Sequence, residues 1–256
     1  MIFLEELKQQ LPQNYSFLEM VLDIYNLDFV NRYYLFLKEN NETYGFFSKA
    51  DSLRIASRHV YESMVYIYYL YSNLRVSRET SFLDVGTGPG LPGFLLYCLK
   101  ETPKITLLDS SQRRLKILEN FIRDMGYKDI KIVYKRVEEW YQRYDICLTR
   151  ALIPFPFSAV LMSHVFEKYI AIFSANLPTE PFVDDYLKRY NLKIVKVYSV
   201  PELEFLGERQ LILLSHIDKQ KKMKPINWKT LRREMDEYYN SNSQSKGWSR
   251  KNNFDN

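Results

Sequence analysis

The sequence predicts an α/β fold in which a mostly parallel, doubly wound sheet follows a helical layer. Short runs rich in β-branched residues recur over residues 81–215, and amphipathic segments of helical period separate the first five runs. Upstream, apolar residues recur at helical spacing, as at Leu18, Val21, Leu22 and Tyr25. The combination indicates a single sheet with a helical N-terminal extension.

Seven candidate strands follow one another along the chain. They are SFLDV (81–85), ITLLD (105–109), IKIVY (130–134), YDICLT (144–149), YIAIFS (169–174), LKIVKVYSV (192–200) and QLILLS (210–215). Only PELEFLGER separates the last two, which is too short for the crossover helix that parallel neighbours need. We therefore predict seven strands that end in an antiparallel hairpin at one edge of the sheet.

These patterns divide the chain into a helical N-terminal extension (1–75), a sheet domain (76–217) and a basic C-terminal tail (218–256). Cys98 and Cys147 lie in apolar segments without the Cys/His spacing of a zinc site, so we expect reduced core residues and no metal. No basic leader precedes an apolar run, and the longest such run, MVYIYYLY, is too short to span a bilayer. We expect a cytoplasmic protein that does not enter membranes.

The tail holds the surplus positive charge of the chain. It has ten Lys and Arg residues against five Asp and Glu residues, which equals the net charge of +5 of the whole sequence. Apolar residues at spacings of three and four predict one short amphipathic helix in it: Trp228, Leu231, Met235 and Tyr238. The polar, low-complexity residues after this helix are expected to be disordered in the free protein.

The decapeptide DVGTGPGLPG (84–93) follows the first predicted strand and precedes the helical run FLLYCLK, which is the position of a nucleotide-binding loop. Gly86, Gly88 and Gly90 read G-x-G-x-G, and Leu91 stands where a dinucleotide fingerprint has its last glycine. This spacing is typical of S-adenosylmethionine sites. A nicotinamide cofactor, or a turn without a ligand, are the alternatives.

Carboxylates at neighbouring strand ends extend this predicted site. Asp84 opens the loop, and Asp109 ends the second strand about twenty residues further on, where a carboxylate can accept both ribose hydroxyls. Val137 and Glu138 follow the third strand, where they could border an adenine. The alternative for this pair is the solvated first turn of a helix.

Arg150 ends the fourth strand, at the edge of the sheet where chemistry usually lies. A guanidinium fixed there can hold a carboxylate or phosphate bidentately, and the alternative is a surface cation. The chain lacks the Asn/Asp-Pro-Pro-Tyr cluster that holds an exocyclic amine, so the acceptor is not expected to be one. No Ser/His/Asp order suggests nucleophilic catalysis, and the scattered histidines are expected to be structural or superficial: His59, His164 and His216.

FLDVGTGPGLPG, TLLDS, RVEEW and TRA, in this order, resemble the bacterial glucose-inhibited division protein B family of 16S ribosomal RNA guanine-N7 methyltransferases. RHVYES and GERQLILL extend the resemblance over roughly residues 20–215. It implies a class I methyltransferase fold, S-adenosylmethionine as donor, and N7 of a guanine in 16S rRNA or the small ribosomal subunit as acceptor. The cofactor positions of the family fall here on Gly86, Leu91, Val137, Glu138 and Arg150.

The chain also departs from this family. Where the family commonly has Lys-Gly after its fifth strand, the sequence has Ser174 and Ala175. We expect the basic tail to replace the lost cation through salt-dependent phosphate contacts. The alternative for the tail is a solubilising role, or packing of its Trp228 helix on the core. The alternative is a noncatalytic RNA-binding or ribosome-assembly protein that retains the fold.

The resemblance also bears on mechanism. Guanine N7 has a free lone pair, so no general base is required, and Arg150 is assigned to positioning of cofactor or phosphate. Phe155 and Phe157 are candidates to stack on an unstacked target base, with core packing as the alternative. Nothing in the sequence suggests an interface, so we expect a monomer.

Overall fold

The computed structural model describes residues 1–12, 15–175 and 181–243. Seven strands form one sheet: β1 (Ser81–Val85), β2 (Lys104–Asp109), β3 (Ile130–Tyr134), β4 (Tyr144–Arg150), β5 (Phe166–Ser174), β6 (Leu192–Ser199) and β7 (Gln210–His216). Their order across the sheet is β3-β2-β1-β4-β5-β7-β6. β1 to β5 are parallel, whereas β7 pairs antiparallel with both β5 and β6. The predicted antiparallel edge hairpin is confirmed, with β6 as the outer strand.

The N-terminal extension is helical, as predicted. Its elements are α1 (Ile2–Gln10), α2 (Phe17–Asp23), α3 (Leu27–Tyr44), α4 (Lys49–Ser52), a π-helix (Ile55–Tyr61) and α5 (Glu62–Asn73). The long α3 has clear sequence signals at both ends. The Asn26 side chain accepts hydrogen bonds from the first-turn amides, and Gly45 ends the helix at a φ of +63°. In the part of the chain that the structure describes, no helix has the length and apolarity needed to cross a membrane.

Among the described residues, five further helices belong to the sheet domain and the tail. They are α6 (Gly93–Tyr97), α7 (Gln112–Asp124), α8 (Phe157–Leu161), α9 (Pro181–Arg189) and α10 (Trp228–Ser243). The predicted helix between β3 and β4 is wrong, because only a 3-10 turn (Val137–Glu139) forms there. The connection is shorter than the roughly dozen residues that a crossover helix and its loops need. The run FLLYCLK is likewise helical only to Tyr97.

Two hydrophobic cores lie on opposite faces of the sheet because strand side chains alternate in direction. On β1, Phe82 belongs to the first core and Leu83 to the second. The first core joins the sheet to the N-terminal helices, α6 and α7, and the second joins it to α8, α9 and α10. Cys98 and Cys147 are buried and unbridged, one in each core, as predicted.

The amphipathic helix predicted in the tail is α10, and it packs on the second core through Leu231 and Met235. Near its end, the ring of Tyr238 contacts those of Phe157 and Phe182. These two phenylalanines begin α8 and α9, the helices that follow β4 and β5. The helix therefore ends near the carboxyl edge of the parallel strands. Residues 244–256, which make up most of the polar stretch predicted to be disordered, lie outside the described residues.

The packing of α10 on the second core predicts that two Leu→Ala substitutions differ in their effect on the stability of the protein. Leu231 is fully buried, whereas Leu53 is 81% exposed. Leu231→Ala should lower the free energy of unfolding by about 3 kcal/mol, because it leaves a cavity between α10 and the sheet. Leu53→Ala should change it by less than about 0.5 kcal/mol. Urea unfolding followed by circular dichroism measures both, and equal effects would contradict the docking.

Candidate functional site

The glycine-rich loop crosses the carboxyl ends of β1 and β2. Amides at its start, on Gly86 and Thr87, donate to the Leu108 carbonyl, at 2.8 and 3.2 Å. Gly86 has a φ of +72°, which favours glycine, and a Cβ there would lie 2.4 Å from the tip of the Leu152 side chain. A Cβ on Gly88, which has a φ of +56°, would meet nothing within 4 Å. Gly88 therefore marks the open side of the loop, where a ligand can approach the main chain.

The other two predicted loop positions lie on its packed side. A Cβ on Gly90 would be 2.9 Å from the Tyr33 hydroxyl, which itself donates to the Pro89 carbonyl. The Leu91 side chain is buried in the first core, and its amide donates to the Thr87 carbonyl at 2.9 Å. Gly90 and Leu91 thus hold the shape of the loop against the N-terminal helices. Any contact of theirs with a cofactor stays a prediction.

Asp109 ties the tip of the loop to the end of β2. Its Oδ2 accepts a hydrogen bond from the Gly88 amide at 2.8 Å, and its Oδ1 accepts one from the Ser111 amide at 2.7 Å. A carboxylate has about four lone-pair positions, so each oxygen keeps capacity for a further donor. Asp109 is therefore at the predicted place beside the open side of the loop.

Asp84 lies beneath the loop and is completely buried. Its Oδ2 accepts from the Thr87 hydroxyl at 2.5 Å and from the Gly93 amide at 2.8 Å. Its Oδ1 is buried and has no hydrogen-bond partner among the described residues. Burial raises the pKa of Asp84 to about 7, against the lowering effect of the Thr87 and Gly93 hydrogen bonds. An unpaired carboxylate oxygen in this position suits a cationic group of a ligand.

Val137 and Glu138 follow β3, which pairs with β2 so that Tyr134 stands opposite Asp109. The Val137 side chain packs in the second core, and its carbonyl accepts from His164 Nε2 at 3.1 Å. The Glu138 side chain is largely buried, with its carboxylate 3.8 Å from the Arg136 guanidinium. The pair therefore lies beside Asp109 at the same edge of the sheet, as predicted.

Arg150 is not a free surface cation, because residues 58–62, which lie 88 to 92 positions earlier in sequence, hold its guanidinium. Its Nη1 donates to the Glu62 carboxylate at 3.1 Å, and its Nη2 lies 3.2 Å from His59 Nδ1. The same Glu62 carboxylate accepts from Arg209 Nε. After Arg150, the chain turns at Ala151, whose φ of +56° is unusual for a residue with a side chain and typical of functional sites.

The sequence patterns did not assign roles to Glu62, Arg209 or His59. All three lie within the flanking segments RHVYES and GERQLILL, so their order along the chain was the available signal. No periodicity could have shown that these segments meet at one carboxylate. These charged residues lie far from their partners in sequence, so only the folded chain shows that they are buried together.

Several further expectations about site residues meet the structure here. The proposed stacking residues Phe155 and Phe157 are buried in the second core, so neither face of their rings is available to a base. The expected structural role holds for His164 and His216, which are buried. Ser174 ends β5, and its carbonyl accepts from the Tyr66 hydroxyl at 3.1 Å.

The family model GidB, described as rRNA small subunit methyltransferase G, matches residues 26–181. The chain is 35% identical to Ribosomal RNA small subunit methyltransferase G of Leptospira biflexa over 241 residues, which cover 90% of this chain and 95% of the relative. It is 32% identical to the protein of the same name from Haemophilus influenzae over 178 residues, which cover 68% of this chain and 83% of the relative.

Among solved structures, the chain resembles magnesium protoporphyrin IX methyltransferase (ChlM) from Synechocystis PCC 6803 with bound SAM. The TM-score is 0.51 at 10% identity, and the match covers 71% of this chain and 96% of that chain. This likeness shows the methyltransferase fold alone. From the family model and the relatives together, the chain belongs to the GidB family, the rRNA small subunit methyltransferases G.

Proposed function

We propose that this chain transfers a methyl group from S-adenosylmethionine to N7 of a guanine in 16S ribosomal RNA. The single observation that carries the proposal is the shared carboxylate of Glu62. It brings Arg150 and Arg209 to the edge of the sheet where the glycine-rich loop and Asp109 lie. Because the chain belongs to a methyltransferase family, we no longer expect the glycine-rich loop to bind a nicotinamide cofactor.

The residues at this edge suit S-adenosylmethionine in size and charge. The unpaired Asp84 oxygen suits a cationic group, the main chain at Gly86 and Gly88 suits the methionyl part, and Asp109 suits the ribose. Val137 and Glu138 would then border the adenine. When bound, this cofactor supplies an electrophilic methyl group on a sulfonium.

The reaction asks little acid–base chemistry of the protein, because guanine N7 already carries a free lone pair. The residues must instead align the acceptor with the methyl group and exclude water. Arg150 has one guanidinium nitrogen on Glu62 and another beside His59, so its direction is fixed before a ligand arrives. We assign Arg150 a positioning role at this edge.

Substrate and compartment follow from the same proposal. The acceptor is 16S rRNA, free or within the small ribosomal subunit, and the chain acts as a monomer in the cytoplasm, where bacterial ribosomes are made. The chain carries a surplus of Lys and Arg residues over Asp and Glu residues, which favours association with RNA.

Methyl transfer tests the proposed function directly. The chain should move a tritiated methyl group from S-adenosylmethionine to small-subunit RNA isolated without this modification. Arg150→Ala should lower the rate about 100-fold, because the acceptor and methyl group lose their alignment. The fold should persist, since Glu62 keeps Arg209 as a partner. Binding of RNA without methyl transfer by the unaltered chain would favour the noncatalytic alternative.

Glu62→Gln is the complementary change to Arg150→Ala. It keeps the shape of the side chain but leaves two buried guanidinium groups without a carboxylate, so stability should fall by about 3 kcal/mol together with the rate. Near-normal methyl transfer in both variants would remove Arg150 from the site.

The raised pKa of Asp84 predicts how cofactor binding depends on pH. Below about 7 the carboxyl holds a proton, and above it the ionised form can pair with a cationic ligand group. Affinity for S-adenosylmethionine should therefore fall about tenfold or more between about pH 7.5 and 5.5, measured by calorimetry. Asp84→Asn, which can keep both acceptor contacts of Oδ2, should bind weakly and lose this pH dependence. An unchanged profile in the variant would contradict the role of Asp84.

The position of α10 sharpens the hypothesis that the tail grips RNA. The loop before this helix leaves β7 at the amino edge of the parallel strands, whereas the helix ends near the carboxyl edge. Removal of residues 244–256, which include Lys246, Arg250 and Lys251, should weaken RNA binding without exposing the second core. The slope of log affinity against log salt should become shallower by about 0.7 for each lost phosphate contact.

Two exposed lysines at the amino edge supply the control for this deletion. Lys221→Gln with Lys222→Gln removes positive charge from the loop before α10. This double change should alter the salt slope less than the deletion does, while cofactor affinity stays unchanged in both. An unaltered slope after the deletion would dispose of the hypothesis.

A further inference from the structure

The segment between α3 and α5, residues 45–61, forms the rim of the N-terminal extension next to Arg150. Most of residues 45–53 are exposed, and the segment continues into the π-helix that carries Arg58 and His59. The carbonyls of these two residues lie 3.4 Å from Arg150 Nη1. π-helical turns are rare and frequently occur at functional sites. The rim segment is therefore part of the edge that holds the reaction.

Two rings of this segment form a stack directly beside Arg150. The rings of Phe47 and His59 lie with centroids 3.9 Å apart and planes inclined by 16°. The Phe47 amide donates to Asn41 Oδ1 at 2.8 Å, which fixes the ring from the end of α3. Phe47 is only partly buried, unlike Phe155 and Phe157. The chain thus carries a fixed, accessible aromatic ring at this edge.

The His59 ring is neutral, which makes it a stacking surface and not a second cation. Burial lowers the pKa of His59 to about 2, with further lowering by Arg150 and Arg58. Since a guanidinium can only donate, His59 Nδ1 is the acceptor in the contact with Arg150, and Nε2 carries the proton. Nε2 is buried and finds no hydrogen-bond partner among the described residues. The neutral ring therefore backs Phe47 without adding a charge to this edge.

The charges around the stack suit a nucleotide. Lys49 is exposed, and the Arg58 guanidinium is 40% exposed and 2.7 Å from Asp51. Arg150 and Arg209 share only one carboxylate, that of Glu62, so this cluster keeps one positive charge beside the stack. Aromatic rings flanked by cations are the usual means of holding single-stranded RNA bases and their phosphates.

We propose that Phe47, backed by His59, is the platform on which a base of the RNA substrate stacks as the target guanine is presented to the methyl donor. The proposal rests on the proposed function and adds the acceptor subsite to it. The segment supplies the contact for which the sequence offered Phe155 and Phe157.

Steady-state methylation of unmodified small-subunit RNA tests the platform, with the RNA concentration varied and S-adenosylmethionine saturating. Phe47→Leu should lower kcat/KM for RNA about tenfold or more, the usual loss when a stacked aromatic is removed. Phe47→Trp keeps a stacking ring and should retain most of the activity. Phe17→Leu is the matched control, because Phe17 is likewise partly buried against the first core and its ring contacts Tyr68 and Tyr69. It should stay within about twofold of the unaltered chain.

Cofactor affinity and thermal unfolding of each variant separate stacking from a structural effect. An unaltered chain that transfers no methyl group would count against the proposed function, not against the platform alone. If the unaltered chain is active, a Phe47→Leu variant within twofold of it overturns the proposal. So does an equal loss in Phe47→Leu and Phe47→Trp when both bind S-adenosylmethionine normally.

Fluorescence keeps the proposal testable if Phe47→Leu fails to fold. The emission that Phe47→Trp adds to that of the three native tryptophans should be quenched when unmodified small-subunit RNA binds. The emission change that the same RNA causes in the unaltered chain is the reference, because Trp248 lies in residues 244–256, which are proposed to hold RNA. Binding without quenching of the added emission would show that no base stacks at this position.

Discussion

The structure depends on one buried carboxylate, that of Glu62. Water cannot solvate charges that deeply placed, so the Glu62 side chain and the guanidinium groups of Arg150 and Arg209 must satisfy one another. The three residues come from α5, the end of β4 and the start of β7. Their contact fixes the N-terminal helices, the parallel strands and the edge hairpin in one arrangement. Breaking it would leave unpaired charge at the edge that bears the predicted chemistry.

The glycine-rich loop meets this edge from the other side and is held by carboxylates of its own. Asp84 anchors the loop where α6 begins, at Gly93, and Asp109 anchors its tip at Gly88. These carboxylates accept hydrogen bonds from main-chain amides of the loop and hold it in place before a ligand binds. Binding then costs less conformational entropy. Cofactor loop and arginine cluster are thus both preorganised, and the gap between them is where a donor and an acceptor can meet.

Sequence patterns predicted the strands and the hairpin well because each depends on local alternation and on connection length. They failed between β3 and β4, where chain length and not propensity decides that Val137 begins only a 3-10 turn. The loop and Asp109 could be predicted because the spacing of a nucleotide loop is local. The bond from Glu62 to Arg150 could not, since it joins residues 88 positions apart and no period connects them. Phe157 shows another limit of sequence patterns. It lies close to Arg150 in sequence, but this closeness does not reveal that its side chain is buried.

Ser174 stands where the family that the sequence resembles commonly has a lysine after β5. The structure shows how this strand end is held instead. Ser174 ends the strand with its carbonyl on the Tyr66 hydroxyl, and the Tyr66 ring stacks on Phe173 with centroids 4.5 Å apart. Tyr66 lies one turn after Glu62 on α5, so a single helix braces the end of β5 and orients Arg150. This aromatic contact makes the strand end rigid but supplies no positive charge. Further cations for an RNA substrate are therefore expected from outside the sheet, from Lys49 and Arg58 of the rim segment (residues 45–61) and from residues 244–256, which follow α10 in sequence.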